Sequence, residues 1–204
     1  MLDAALIQQC ADPSLKPAIV EQFVDAAGAP DPLTVTVKYG GRVFLVPVPK
    51  TADEALVIIR ENVGRAIVRV GLTQFPAGVG VKDASKLTVD LVDACENLRV
   101  GTRMFAKILR VVAKWYGNPE NDEVFPQIFE DAIYAWKTGE FEGVGVFQAA
   151  DPSGPINNQK EQADVSEKVV SEPETPPNAE SDPQDQKDVD AAGMRIDLSR
   201  IVGN

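Results

Sequence analysis

A break in composition near residue 150 limits how much of this chain can fold. Residues 151–190 carry 11 acidic and 3 basic side chains, 6 of the chain's 15 prolines and no aromatic residue. A segment so poor in apolar surface cannot offset the entropy lost on ordering. The sequence therefore predicts a folded domain over 1–148, a disordered acidic Pro-rich linker over 149–190, and a short amphipathic segment over 191–204. In that last segment Met194, Ile196, Leu198, Ile201 and Val202 are apolar again. A sticky peptide on a long acidic tether suits docking to a partner protein; packing back onto the domain is the other reading.

Most of the net charge of −11 resides in the linker, and residues 1–150 hold 19 acids and 15 bases. That balance argues against nucleic acid as a direct ligand, which needs concentrated Lys and Arg. No apolar run approaches the roughly 20 residues that span a bilayer. The start, MLDAALIQQC, has no basic lead and carries Asp3 where an apolar core would begin, so a cytoplasmic location is expected. The sequence has no histidine. That excludes a His-based zinc site, a His general base and a Ser-His-Asp triad. Cys10 and Cys95 lack metal-ligand spacing. No metal or cofactor is implied.

Within the domain, apolar spacing predicts helices over 3–9 and 14–27, with Ser14 as N-cap and Gly28 as C-cap of the second. LTVTVKYGGRVFLVPVP reads as a β-hairpin turning at YGG, with its return strand over Val43–Val48 and Pro47 suited to an edge. Thr51–Glu54 has the form of a capping box and opens a helix to about Asn62. AIVRVGL is β-prone. A short helix near 83–91, a long one over 96–116 and a last one over 122–137, ended by Gly139, complete the domain. The expected class is mainly α with a small β-hairpin.

Without histidine, carboxylates lead as acid–base candidates. Glu21 and Asp25 lie one helical turn apart and could share a proton in a cleft, or be two solvated charges. The adjacent pairs Glu130–Asp131 and Asp122–Glu123 point in different directions along their helix. Gln74, between Thr73 and Phe75 in RVGLTQFP, has an amide that donates and accepts at once, which suits sugar amides and hydroxyls. A plain turn residue is the competing reading. Trp136 and Tyr134 either stack on a sugar or, for Trp136, fill the core. GVGV lacks the lysine and helix start of a phosphate loop.

RVGLTQFP is similar to the Gly-Leu-x-Gln segment of the lytic transglycosylases that accompany type IV secretion systems, within the lysozyme-like superfamily. DACENLRVGTRMFAKIL resembles that family's Asp-x-Cys-x-Asn-Leu-Arg-x-Gly-x-Arg segment through Asp93, Cys95, Asn97, Leu98, Arg99, Gly101 and Arg103. AIYAWKTGEF resembles its aromatic-x-x-Gly segment at Trp136. The likeness covers about 5–148. It implies a lysozyme-like domain, a peptidoglycan glycan strand as ligand, structural roles for Gly71 and Asn97, and pairing of Cys10 with Cys95. In a reducing cytosol those cysteines would instead be thiols; the resemblance also leaves a periplasmic location open. Over its whole length the chain resembles the TraH family of conjugal-transfer proteins encoded on Agrobacterium and Rhizobium plasmids, which implies a role in conjugation and another conjugation protein as partner.

One departure decides the expected chemistry. The transglycosylases use a single glutamate, in Glu-Ser-Gly-x-x-Pro at the end of the first main helix, to protonate the leaving oxygen. Here that region is VDAAGAPDP, with Gly28 on the glycine and Ala26 on the glutamate. Asp25 is one residue early, a rotation of about 100°, and Glu21 is more than a turn away. The expectation is a non-catalytic binding or scaffold domain. The alternative is an active enzyme with Asp25 or Glu21 as a relocated acid.

Overall fold

A computed structural model describes residues 2–119 and 122–152. The fold is mixed α/β with two small sheets. Helices α1 (Ala4–Cys10) and α2 (Pro17–Ala27) lead into strands β1 (Val35–Tyr39) and β2 (Arg42–Phe44). Helix α3 (Ala52–Asn62) is followed by β3 (Ile67–Val70) and β4 (Phe75–Pro76). Two 3-10 turns precede the long α4 (Ala94–Trp115), then come α5 (Phe125–Thr138) and the pair β5 (Glu140–Phe141) and β6 (Val144–Gly145).

The expected hairpin is present, but as part of a larger sheet of order β2-β1-β3-β4, all antiparallel. AIVRVGL supplies the third strand, pairing Val35 with Val70 and Val37 with Val68. Alternation puts these four valines on one face, where they bury against Leu56 and Ile59 of α3. Thr36, Lys38, Ile67 and Arg69 take the other face by the same register. The return strand stops at Phe44 instead of reaching Val48; Pro47 and Pro49 have no N–H to extend the ladder.

A second core joins α1, α2, α4 and α5. Phe23 of α2 stacks on Phe105 of α4 with centroids 4.0 Å apart, and Trp136 of α5 meets Phe23 edge-on at 5.1 Å. Leu98, Phe105, Ile108, Leu109 and Val112 form the buried stripe of α4, the pattern their spacing predicted.

Local signals set most boundaries. Thr51 caps α3 by accepting from the Glu54 N–H, and Asp93 caps α4 by accepting from the Cys95 and Glu96 N–H groups. Gly139 ends α5 with φ 86°. Ser14 does not cap α2, which starts at Pro17 behind Lys16. A proline at the first helical position sets φ and needs no donor partner, while Ser14 is held in a turn by Asp12. The helix expected near 83–91 is two 3-10 turns, Ala84–Lys86 and Val89–Val92.

Residues 149–152, assigned to the tail by composition, lie against α4. Lys107 donates to the carbonyls of Phe147 and Ala149, and Arg110 pairs with Asp151. The rest of the linker and the 191–204 docking segment lie outside the described residues.

Cys10 and Cys95 form a disulfide, with Cα atoms 5.1 Å apart, tying the end of α1 to the start of α4. The pairing that the resemblance implied is present. The bridge spans 85 residues of sequence, for which loop-closure entropy gives about 4–5 kcal/mol. Reductant should therefore lower the urea midpoint of the native chain strongly and leave that of a Cys10→Ser/Cys95→Ser variant unmoved.

Candidate functional site

The segment Gly71–Phe75 sits where the two cores meet, and Phe75 packs against both. Four elements hold it. Asn97 of α4 is fully buried; its Oδ1 accepts from the Thr73 N–H and hydroxyl, and its Nδ2 donates to the carbonyls of Val70 and Leu91. Trp136 of α5 donates its indole N–H to the Thr73 carbonyl at 3.1 Å. The Ala29 N–H, just past α2, donates to the Leu72 carbonyl at 2.9 Å. From the sheet, the Thr36 hydroxyl donates to Oε1 of Gln74 at 2.7 Å.

The close contact between Asn97 and Thr73 and the backbones beside them makes glycine necessary at two positions. A Cβ on Gly71, whose φ is +72°, would lie 2.3 Å from Asn97 Nδ2. One on Gly101 would lie 2.2 Å from the Thr73 hydroxyl. Gln74 itself has φ 51°, a left-handed conformation that costs a non-glycine residue about 1 kcal/mol or more. Its side chain helps to compensate, since Nε2 donates to the Gly71 carbonyl at 3.1 Å. Both ends of the amide are thus engaged inside the protein, and the residue is 8% exposed.

Beside the turn, Arg69 is buried with no carboxylate partner among the described residues. Its guanidinium donates to the carbonyls of Gln74, Trp136 and Lys137 and lies 5.9 Å from the Trp136 ring and 5.7 Å from that of Phe147. Trp136 and Lys137 belong to the last turn of α5, where free carbonyls and the helix dipole favour a cation. Desolvation lowers the Arg69 pKa to about 10, still far above neutrality, so the charge is kept. Sequence reasoning passed over this residue. The available signal was a lone arginine on the polar-facing register of a β-prone run.

Arg69 also forms part of the floor of a groove of about 650 Å³ between the open face of the sheet and the β5–β6 corner. No buried polar side-chain atom among the described residues lacks a partner. Lys38 and Arg65 add charge, Glu140 opposes it, and Tyr39, Ile67 and Phe147 supply apolar wall. The volume falls in the usual range for ligand sites, about 300–1,000 Å³.

The other sequence candidates are dispersed. Trp136 has no exposed surface, and Tyr134 is exposed. Glu21 and Asp25 are both exposed on α2. Asp25 lines a small pocket of about 190 Å³ with Leu2, Val24, Gly28, Ala29 and Pro30. Ala26 opens on a different groove of about 640 Å³, walled by Phe125, Phe129 and Ile133, whose one charged lining residue is Glu130. Gln74 is absent from the linings of both spaces. Asp131 accepts hydrogen bonds from Tyr116 and Gln127. No group of His, Cys, Asp or Glu among the described residues is placed to hold a metal ion.

A TraH_2 family model matches residues 1–203. The chain belongs to the TraH_2 family. It is 63% identical over 203 residues to a protein of Sinorhizobium fredii (strain NBRC 101917 / NGR234) described as uncharacterized protein y4dP, with each chain covered in full. No solved structure matches the chain. No helix among the described residues is long and apolar enough to cross a membrane.

The geometry predicts a hierarchy of stability. Asn97→Ala strands the Thr73 N–H and two carbonyls and should cost about 3–5 kcal/mol, at about 1–3 kcal/mol per buried orphan with partial relaxation. Gln74→Ala, keeping the positive φ but losing two bonds, should cost about 2 kcal/mol. Tyr134→Ala should stay within about 0.5 kcal/mol. Urea unfolding of the three variants checks the order.

Proposed function

We propose that the chain serves plasmid conjugal transfer as a non-catalytic, lysozyme-like binding component that engages the glycan strand of peptidoglycan in the groove above Arg69. The observation that carries this reading is a formed groove lined by cations and apolar side chains; the missing acid is a separate feature, since Ala26 opens on another groove. Lys38 and Arg65 offer donors for the lactyl and peptide carboxylates of the polymer. Ile67 and Phe147 offer apolar surface for a sugar ring. Ala26 stands where the transglycosylase motif has its glutamate, and alanine has no proton to give. Membership in the TraH_2 family supports the conjugation role, and a protein of the transfer machinery is the proposed second partner.

The Cys10–Cys95 bridge supports action in an oxidising compartment such as the periplasm, where disulfides persist and peptidoglycan lies. An active enzyme using Asp25 or Glu21 is the competing proposal. The exposure of both groups on α2 gives it little support, because a general acid at neutral pH needs burial or an apolar wall to hold its proton.

Co-sedimentation with purified, insoluble sacculi tests the binding reading. The native chain should sediment with sacculi, and Lys38→Gln/Arg65→Gln should bind about tenfold more weakly, roughly 1.4 kcal/mol for two partly exposed charge contacts. Equal binding by native and variant chains would reject the groove as the site.

A further inference from the structure

The β1–β2 hairpin and the segment after it leave apolar side chains uncovered to an extent seen nowhere else among the described residues. Tyr39, Val43, Phe44, Leu45 and Val48 are all exposed, Leu45 completely and Val48 by 83%. All three residues of β2 are exposed. The surrounding stretch, 33–50, carries Lys38, Arg42 and Lys50 and no acidic residue, in a chain whose net charge is −11. We propose that this hairpin is a membrane-contact element that inserts shallowly into the headgroup zone of an anionic bilayer.

Register separates a lipid surface from other occupants. Phe44 pairs with Val37, and Tyr39 with Arg42, so Phe44 and Tyr39 share one face, where their rings meet at 6.2 Å. Val43 pairs with Lys38 and takes the opposite face. A single folded partner covers one face of such a ribbon, whereas a fluid interface envelops both. An added β-strand would find only Arg42–Phe44 as a template, because Pro47 and Pro49 break the edge that follows. A second copy of the chain pairing at this edge would bring two sets of Arg42 and Lys50 together. Anionic headgroups instead complement the three cations, each worth roughly fivefold in affinity near such a surface.

Shallow seating also suits the backbone. The outer edge of β2 keeps unpaired polar groups that the hydrocarbon core would not tolerate but the hydrated headgroup zone does. Tyr39 has the amphipathic ring favoured at that depth. The acidic residues elsewhere are screened beyond about 10 Å at ordinary ionic strength, so the local basic stretch decides the contact.

Vesicle co-sedimentation of the full chain provides the test, with phosphatidylethanolamine–phosphatidylglycerol vesicles against phosphatidylcholine vesicles. The native chain should partition onto the anionic vesicles, weakly onto the neutral ones, and less as salt rises. Leu45→Ser/Val48→Ser and Arg42→Gln/Lys50→Gln should each weaken partition by about tenfold or more while leaving the melting temperature unchanged, since all four side chains are exposed. Failure of the native chain to bind anionic vesicles would overturn the proposal, as would binding that neither variant weakens. Sedimentation velocity resolves the remaining case: a dimer that Leu45→Ser/Val48→Ser dissolves, without vesicle binding, would make this surface a contact between copies. Lys38 and Tyr39 belong to both surfaces, but none of the four residues changed here lines the groove, so the two results can fail separately.

Discussion

The carboxamide of Asn97 places two acceptor and two donor positions on neighbouring segments, and the arrangement of the domain follows from that. Its oxygen fixes Thr73, its nitrogen fixes the end of β3 and the turn before α4. A buried amide satisfied at every position is stable only in one geometry, because each lost partner costs about 1–3 kcal/mol. The Gly71–Gln74 turn is consequently held in one place, and the sheet, α2, α4 and α5 are located by what they bond to on it. Gly71 and Gly101 let the backbones come close enough for this to happen.

The pairing of Arg69 with the end of α5 is the second such constraint. A buried guanidinium is costly, and three carbonyls together with two aromatic rings offset that cost. Because Arg69 sits on the open face of β3, the residue that ties sheet to helix also forms part of the groove floor.

Helix positions were largely legible in the sequence. The stripe of α4, the Thr51 cap, the Gly139 stop and the YGG turn each have a local cause that requires no tertiary partner. The four-stranded sheet was less legible, since joining AIVRVGL to the hairpin depends on pairing between residues some thirty positions apart. Ser14 misled because a good cap residue competes with a proline already placed to start a helix. Gln74 and Trp136 were read as possible ligand contacts because an amide and an indole serve burial and recognition equally well. Only the positions of Thr36, Thr73 and Gly71 reveal that both side chains are engaged within the fold. The groove was not legible at all, being made of residues from the hairpin, β3, β4 and the β5–β6 corner.

The proposed domain binds a cell-wall polymer without cutting it, a reading that rests on the lining of one groove and on an alanine where the resembled motif has its acid. Incubating the purified full chain with insoluble peptidoglycan and separating the soluble products by chromatography tests that claim most directly. No 1,6-anhydromuropeptides above the level of a protein-free control are expected. Their release by the native chain, and its loss on Asp25→Asn, Glu21→Gln or Glu130→Gln, would contradict it.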